Sequence, residues 1–142
     1  MDFSIIAETF QKMESTAKRT ELTDILVGLF KNTPNNLIAK VVYLLQGILK
    51  PNFEGIELGV AEKLAIRAIA KSSGLSVKKI QDEYNTGGDL GEAASNILKR
   101  KTQTTFSAES MTLERVYETL LKIANIEGKG SQDLKIKYIS SL

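Results

Sequence analysis

Apolar residues recur at helical spacing along almost the whole chain of 142 residues, and this feature restricts the fold more than any other. Phe3, Ile6, Phe10 and Met13, for example, follow one another at intervals of three or four residues. Such intervals place apolar side chains on one face of an α-helix. No segment carries a convincing β-hairpin signal. The sequence therefore predicts an all-α protein, a single compact multi-helix domain of about eight helices that spans residues 1–142.

The ends of these helices are predicted from capping residues, glycine and proline. Residues whose side-chain oxygens can accept hydrogen bonds from a first helical turn are the predicted N-caps: Thr20, Ser76, Asp89, Thr112 and Ser131. Pro34 is expected to start a third helix, almost wholly buried, that stops at Gly47. Residues 48–59 interrupt the periodicity with a proline and two glycines and predict a structured connection, and Gly74 is expected to end the helix that follows.

The composition excludes several classes of chemistry. Histidine and cysteine are both absent, so disulfides, thiolate nucleophiles, imidazole bases and the usual zinc ligands are excluded. No apolar run approaches the ~18–20 residues that cross a bilayer, and Asp2 stands where a signal peptide would carry a cation. We therefore expect a cytoplasmic protein that has no membrane partner and binds no metal.

A glycine-rich acidic turn, Asn-Thr-Gly-Gly-Asp, opens a predicted helix at Asp89. Asp89 and Glu92 have the spacing of a capping box, which accounts for both acids. Capping does not by itself call for Gly91, since glycine costs about 1 kcal/mol relative to alanine inside a helix. The missing side chain would let a neighbouring helix or a sugar-phosphate chain approach closely. The structural and the functional interpretation both stay open here.

Positive charge is concentrated at the far end of that helix. The net charge is only +2, and its densest cluster is Lys99, Arg100 and Lys101. Cations at this position also stabilise a helix through its dipole, by about 0.3–1 kcal/mol each. The cluster is consequently a weak indication of a polyanionic partner.

The segment Gly128–Lys135, with the sequence GKGSQDLK, is the second candidate site. Two glycines flank Lys129, Ser131 follows as a possible cap, and Lys135 lies one turn into the next helix. Free N–H groups, a hydroxyl and ammonium groups close together can bind a phosphate. The alternative is an ordinary helix stop followed by a serine cap. The segment is not a Walker loop, whose spacing is absent.

These motifs occur in an order that resembles the N-terminal DNA-binding domain of ATP-dependent DNA ligases, particularly the archaeal type. The resemblance spans nearly the whole chain, and its specific segments are two: Gly88–Gly91 (GDLG) and Gly128–Lys135 (GKGSQDLK). The segment Glu57–Lys63 (ELGVAEK) matches as well. Supporting matches lie at Thr102 with Gln103, at Thr112 and at Val116 with Tyr117.

The resemblance implies an all-helical domain that grips nicked duplex DNA through its minor groove and phosphates, largely without reading sequence. Its partners would be the DNA and the catalytic domains of the ligase, in DNA replication, repair and recombination, beside the nucleoid. The implied DNA-binding residues are glycines that permit close approach, cations that neutralise phosphates, and two hydrogen-bonding side chains: Gly59, Lys63, Gly91, Lys99, Arg100, Gly128, Lys129, Gly130, Ser131, Gln132 and Lys135.

Catalysis by this chain alone is not expected. Ligases of this type carry a nucleophilic lysine in a K-x-D-G motif, which is absent here. The family pattern would continue past Leu142, so we expect a truncated chain or an excised domain, with ATP and magnesium belonging to the missing catalytic domain. A helical protein-interaction scaffold remains the main alternative. A stand-alone enzyme is disfavoured because histidine, cysteine and a phosphate loop are all absent.

Overall fold

The structure, a computed structural model, describes residues 1–100 and 111–142. These residues form eight α-helices, which confirms the all-α prediction, and the only β-type pairing among them is an isolated bridge between Asp2 and Thr112. In chain order the helices are α1 (Phe3–Glu14), α2 (Arg19–Asn32), α3 (Ile38–Leu45), α4 (Glu62–Ser73), α5 (Val77–Gly87), α6 (Leu90–Lys99), α7 (Leu113–Ala124) and α8 (Ser131–Ile139). Two short 3-10 helices, Asn35–Leu37 and Asn52–Glu54, lie on either side of α3.

The described residues form two compact units, of which the first comprises residues 1–58 and 111–125. It contains α1, α2, α3 and α7. Its core consists of five buried side chains contributed by all four helices and the first 3-10 helix: Ile6, Leu29, Leu37, Val41 and Leu113. The backbone N–H of Leu113 donates to the carbonyl of Met1 at 2.9 Å, which joins the start of α7 to the start of α1.

The second unit comprises residues 59–100 and 126–142 and contains α4, α5, α6 and α8. One buried cluster joins α4 to α5 and α6 through Ile66, Ala70, Ile80 and Ile97. Another joins α4 to α8 through Leu64, Ala68 and Ile136. Helix α4 is therefore the central element of this unit, with apolar side chains on two of its faces.

Three of the predicted caps are confirmed. The side chain of Ser76 accepts from the N–H of Lys79 at 3.3 Å, and that of Asp89 accepts from the N–H of Glu92 at 2.7 Å. The hydroxyl of Thr112 accepts from the third N–H of α7 at 3.2 Å. The predicted stop is confirmed as well, because Gly74 ends α4 in the left-handed conformation that favours glycine.

Two predicted caps are wrong. Helix α2 begins at Arg19, so Thr20 lies inside the helix and does not cap it. The side-chain contact before the helix comes from Thr16, whose hydroxyl accepts a hydrogen bond from the N–H of Lys18. Ser131 is likewise the first residue of α8 and not its cap. Gly130, at φ +80°, turns the chain directly into the helix, which leaves no non-helical position for the serine.

The third predicted helix differs in extent and in burial. A 3-10 turn precedes it, α3 begins only at Ile38, and Val41 is its one buried residue. The reason is that a helix of two turns packs along one narrow stripe, so its other apolar side chains stay partly exposed. The connection after it is structured as predicted, since the hydroxyl of Tyr117 donates to the carbonyl of Leu49. No helix within the described ranges is both long and apolar enough to cross a membrane.

Candidate nucleic-acid interface

Helices α4 and α8 meet through polar side chains as well as through their shared core. Lys135 of α8 reaches Gly59, which precedes α4, whereas Gln132 and Asp133 reach Arg67 in the middle of α4. Later positions of α8 thus contact earlier positions of the α4 segment. The two helices are therefore antiparallel, and these polar side chains lie on the same side of the pair.

A cleft of about 510 Å³ lies along this edge. Its lining residues are Gly59, Ala61, Lys63, Leu64, Arg67, Ser131, Gln132 and Lys135. Five of them were predicted from the sequence as DNA-binding residues: Gly59, Lys63, Ser131, Gln132 and Lys135. The fold therefore brings together side chains from two segments that are about seventy positions apart in the chain.

Gly59 has a specific role in the shape of this cleft. Its φ of +61° lies in the left-handed region, and its carbonyl accepts a hydrogen bond from the Nζ atom of Lys135 at 3.2 Å. A Cβ atom at position 59 would lie 2.8 Å from that nitrogen, closer than real contacts allow. Glycine is needed here both for the backbone conformation and for the close approach of the ammonium group.

Arg67 is the charged cleft residue that the sequence interpretation missed, along with the apolar residues Ala61 and Leu64. Its guanidinium contacts the carboxylate of Asp133 at 3.2 Å and the amide oxygen of Gln132 at 3.5 Å. Lys63 lies four positions earlier on the same helix, and residues at this spacing share a helix face. That spacing was visible in the sequence and could have indicated Arg67.

The entrance of α4 is linked to α5 and α6 through Tyr84. The hydroxyl of Tyr84 donates to the carboxylate of Glu62, in the first turn of α4, at 3.0 Å. This hydrogen bond, together with the negative charge of Glu62, raises the pKa of Tyr84, and the carboxylate of Asp89 adds to the shift. The start of α6 therefore lies close enough to Tyr84 for its charge to act there.

Gly91 lies close to the carboxylate that caps α6. A Cβ atom at position 91 would lie 3.2 Å from the Oδ1 atom of Asp89, which is the oxygen that caps α6. The Asp89 carboxylate would have to shift by a few tenths of an ångström to accommodate a side chain here, and the role of Gly91 in DNA binding stays a prediction. Only half of the predicted capping box forms among the described contacts, since Asp89 accepts from Glu92 without a return bond from the Glu92 carboxylate.

The remaining predicted residues lie elsewhere on the second unit. Gly128, Lys129 and Gly130 are exposed in the turn before α8 and do not line the cleft. Lys99 and Arg100 are at the opposite end of α6 from Gly91, about 14 Å away for a helix of this length. Arg100 forms an ion pair with Glu83 at 3.0 Å. Lys101, Thr102 and Gln103 lie outside the described residues.

The first unit has a cleft of a different chemical character. It measures about 540 Å³ and its walls include Leu44, Ile48, Leu49 and Leu120. Phe53, in the second 3-10 helix, is 89% exposed. An apolar wall and an exposed aromatic ring are features of surfaces that bind protein and not phosphate.

Comparison with known proteins agrees with the arrangement of these motifs. A family model described as "DNA ligase N terminus" matches residues 2–142. The chain belongs to this family. In this member of the DNA ligase N-terminal family, six of the eight residues that line the cleft between α4 and α8 come from two segments that carried the resemblance, Glu57–Lys63 and Gly128–Lys135.

Relatives with similar sequences are archaeal proteins named DNA ligase. The chain is 68% identical over 142 residues to one from Nitrosopumilus maritimus and 61% identical over 142 residues to one from Cenarchaeum symbiosum, and it covers 24% of each. It is 44% identical over 146 residues to one from Pyrobaculum calidifontis and covers 25% of that protein. All of the chain is aligned in each case. The chain thus spans about a quarter of the length of these relatives.

Proposed function

We propose that this chain binds duplex DNA, preferably nicked, through the minor groove and the phosphate backbone. It would act as the DNA-binding arm of an ATP-dependent DNA ligase in replication, repair and recombination. The observation that carries the proposal is the cleft between α4 and α8, which is lined by Lys63, Arg67 and Lys135, with one carboxylate, Asp133, paired with Arg67. Three cations against one anion give the cleft an excess of positive charge that suits phosphate.

The kinds of side chain in the cleft support contacts to the backbone of DNA. Lysine and arginine neutralise phosphates, and the hydroxyl of Ser131 and the amide of Gln132 can donate hydrogen bonds to phosphate or sugar oxygens. Such contacts carry little information about base sequence. Binding should therefore be nearly independent of sequence, as a protein that acts wherever a nick occurs requires.

Magnesium and ATP are assigned to other parts of a ligase and not to this cleft. Magnesium prefers several oxygen ligands, whereas no carboxylate is among the residues that line the cleft and Asp133 beside it is paired with Arg67. The donor set therefore suits an anion and does not fit a metal ion. Adenylyl transfer would take place in the catalytic domains, which are the proposed protein partners, and the nucleoid in the cytoplasm would be the place of action.

A titration across salt concentrations tests the proposal. With about five phosphate contacts, the logarithm of the binding constant should fall against the logarithm of salt concentration with a slope of about 4–5. Lys135→Ala should lower that slope by about 1, because one phosphate contact is removed. Fluorescence anisotropy with a nicked duplex, and with an intact duplex of the same sequence, measures both quantities. An affinity that does not change with salt would contradict the proposal.

Gly59→Ala should weaken DNA binding while its matched control does not. Gly59 and Gly74 both have positive φ, so alanine at either position introduces strain of about 1–2 kcal/mol. Only at position 59 would the new Cβ displace the Lys135 ammonium group, because open space surrounds Gly74. We expect a several-fold loss of affinity for Gly59→Ala and little change for Gly74→Ala, with similar losses of stability in urea. Equal affinities of the two variants would show that Lys135 need not hold its position beside residue 59.

The apolar cleft of the first unit favours a second candidate function, a helical scaffold that binds other proteins and no nucleic acid. The observation that favours it is the apolar wall of this cleft together with the exposed ring of Phe53, which follows the cleft residue Asn52 in the chain. Protein-binding surfaces commonly show an exposed aromatic side chain near a hydrophobic depression. This alternative predicts no salt-dependent affinity for duplex DNA, so the same titration separates the two functions.

A further inference from the structure

Arg67, which lines the cleft from α4, forms an ion pair with Asp133 of α8. The Nη2 atom of Arg67 lies 3.2 Å from Oδ1 of Asp133, and the Asp133 side chain is 82% exposed. Asp133 lies in the first turn of α8, directly after the cleft residues Ser131 and Gln132. A negative charge is therefore paired with one cation of a cleft whose other ionic side chains, Lys63 and Lys135, are also positive.

Asp133 would oppose the binding of a phosphate group in this cleft through two effects. It would compete with the carboxylate for the guanidinium of Arg67, because arginine forms the same forked contact with carboxylate and with phosphate. It would also be repelled by the carboxylate over a few ångströms. Both effects weaken phosphate binding, and neither depends on the sequence of the bases.

We propose that Asp133 is an intramolecular competitor of DNA phosphate for Arg67 and lowers the affinity of this chain for duplex DNA. The inference rests on the proposed function and describes the regulation of that same cleft. In the free protein the carboxylate occupies Arg67, and in the complex a phosphate takes its place. The result is weaker binding and faster release, which suits an arm that must leave the DNA after each nick.

The other role open to Asp133 is stabilisation of α8. Acids in a first turn interact favourably with the helix dipole. An ion pair as exposed as this one contributes little to folding, so the fold should tolerate its loss. The substitution Asp133→Asn keeps the size of the side chain and one acceptor oxygen, removes the charge and replaces the second oxygen with an amide NH₂ group. It is consequently a suitable probe.

The test compares Asp133→Asn with Asp82→Asn, measured by anisotropy on a nicked duplex at low salt. Asp82 is exposed on α5 of the same unit and does not line the cleft, so the control changes the net charge equally. We expect Asp133→Asn to raise the affinity roughly three- to tenfold and Asp82→Asn to raise it less than about twofold. Equal gains for the two variants, or a loss for Asp133→Asn, would overturn the inference.

A second comparison asks whether Asp133 acts through Arg67. The variant Arg67→Gln has no guanidinium for which Asp133 and phosphate could compete. In this background Asp133→Asn should therefore raise the affinity for DNA less than it does in the wild-type background. The same gain in both backgrounds would mean that charge repulsion alone operates, and the competition would be refuted. If the wild-type protein shows no salt-dependent affinity for DNA, the proposed function itself fails. A wild-type protein that binds DNA but shows no gain in Asp133→Asn refutes only the inference.

Discussion

Replacing Lys63 and Arg67 with glutamate is expected to lower the affinity for nicked duplex DNA at least roughly a hundredfold at low salt. Both side chains line the cleft from α4, four positions apart. A hydrogen bond between charged groups contributes about 1.5–3 kcal/mol, and each 1.4 kcal/mol corresponds to a factor of about ten in affinity. Loss of two such contacts already gives this factor, and the new carboxylates add repulsion. Anisotropy with a labelled duplex measures the change.

The matched control for this double variant is Lys78→Glu with Lys79→Glu. Both lysines belong to the first turn of α5 in the same unit, so the net charge changes equally. Neither lines the cleft. Glutamate is favourable in a first helical turn, so the control should also keep its stability. If the control loses as much affinity as the α4 variant, binding depends on overall charge and the cleft is not the contact surface.

Ile80→Ala is expected to lower the free energy of unfolding by about 2–5 kcal/mol, a large share of the total for a domain of this size. Ile80 is fully buried and lies in the cluster that joins α5 to α4 and α6. Removing its side chain leaves a cavity that the packed neighbours can fill only in part. Urea unfolding followed by circular dichroism measures the loss.

Val77→Ala on the same helix is the control for that cavity. Its side chain is 48% exposed, so truncation should change the free energy of unfolding by no more than about 0.5 kcal/mol. Hydrogen exchange should show that the amides of α4 and α5 lose protection in Ile80→Ala. Similar values for the two variants would mean that the second unit does not depend on this cluster.

Most of the helices could be predicted because their signals are local. The caps Ser76, Asp89 and Thr112 and the glycine stop at Gly74 depend on a few neighbouring residues, and the structure confirms them. The errors occurred where two local signals compete. Ser131 and Gly130 can both begin a helix, and the left-handed glycine determined the boundary.

The candidate site could be predicted only in part. Lys135 and Ser131 were identified from one segment and Gly59 and Lys63 from another, yet nothing local showed that the two segments meet. Arg67 was missed although its spacing from Lys63 places both on one helix face, and its contacts with Gln132 and Asp133, 65 and 66 positions away, could not be predicted from local sequence. The acid that opposes the cations of the cleft was missed for the same reason.

The sequence by itself determined the all-α class and four of the helix boundaries, and it pointed to two segments whose residue types suit phosphate. These properties follow from hydrophobic periodicity and from hydrogen bonds between near neighbours. Only the tertiary structure decided that α4 and α8 pack side by side and that Gly59 lies against Lys135. It also decided that Arg67 is paired with Asp133. The physical reason is that packing of buried apolar faces, here Leu64 and Ala68 against Ile136, sets which polar edges meet.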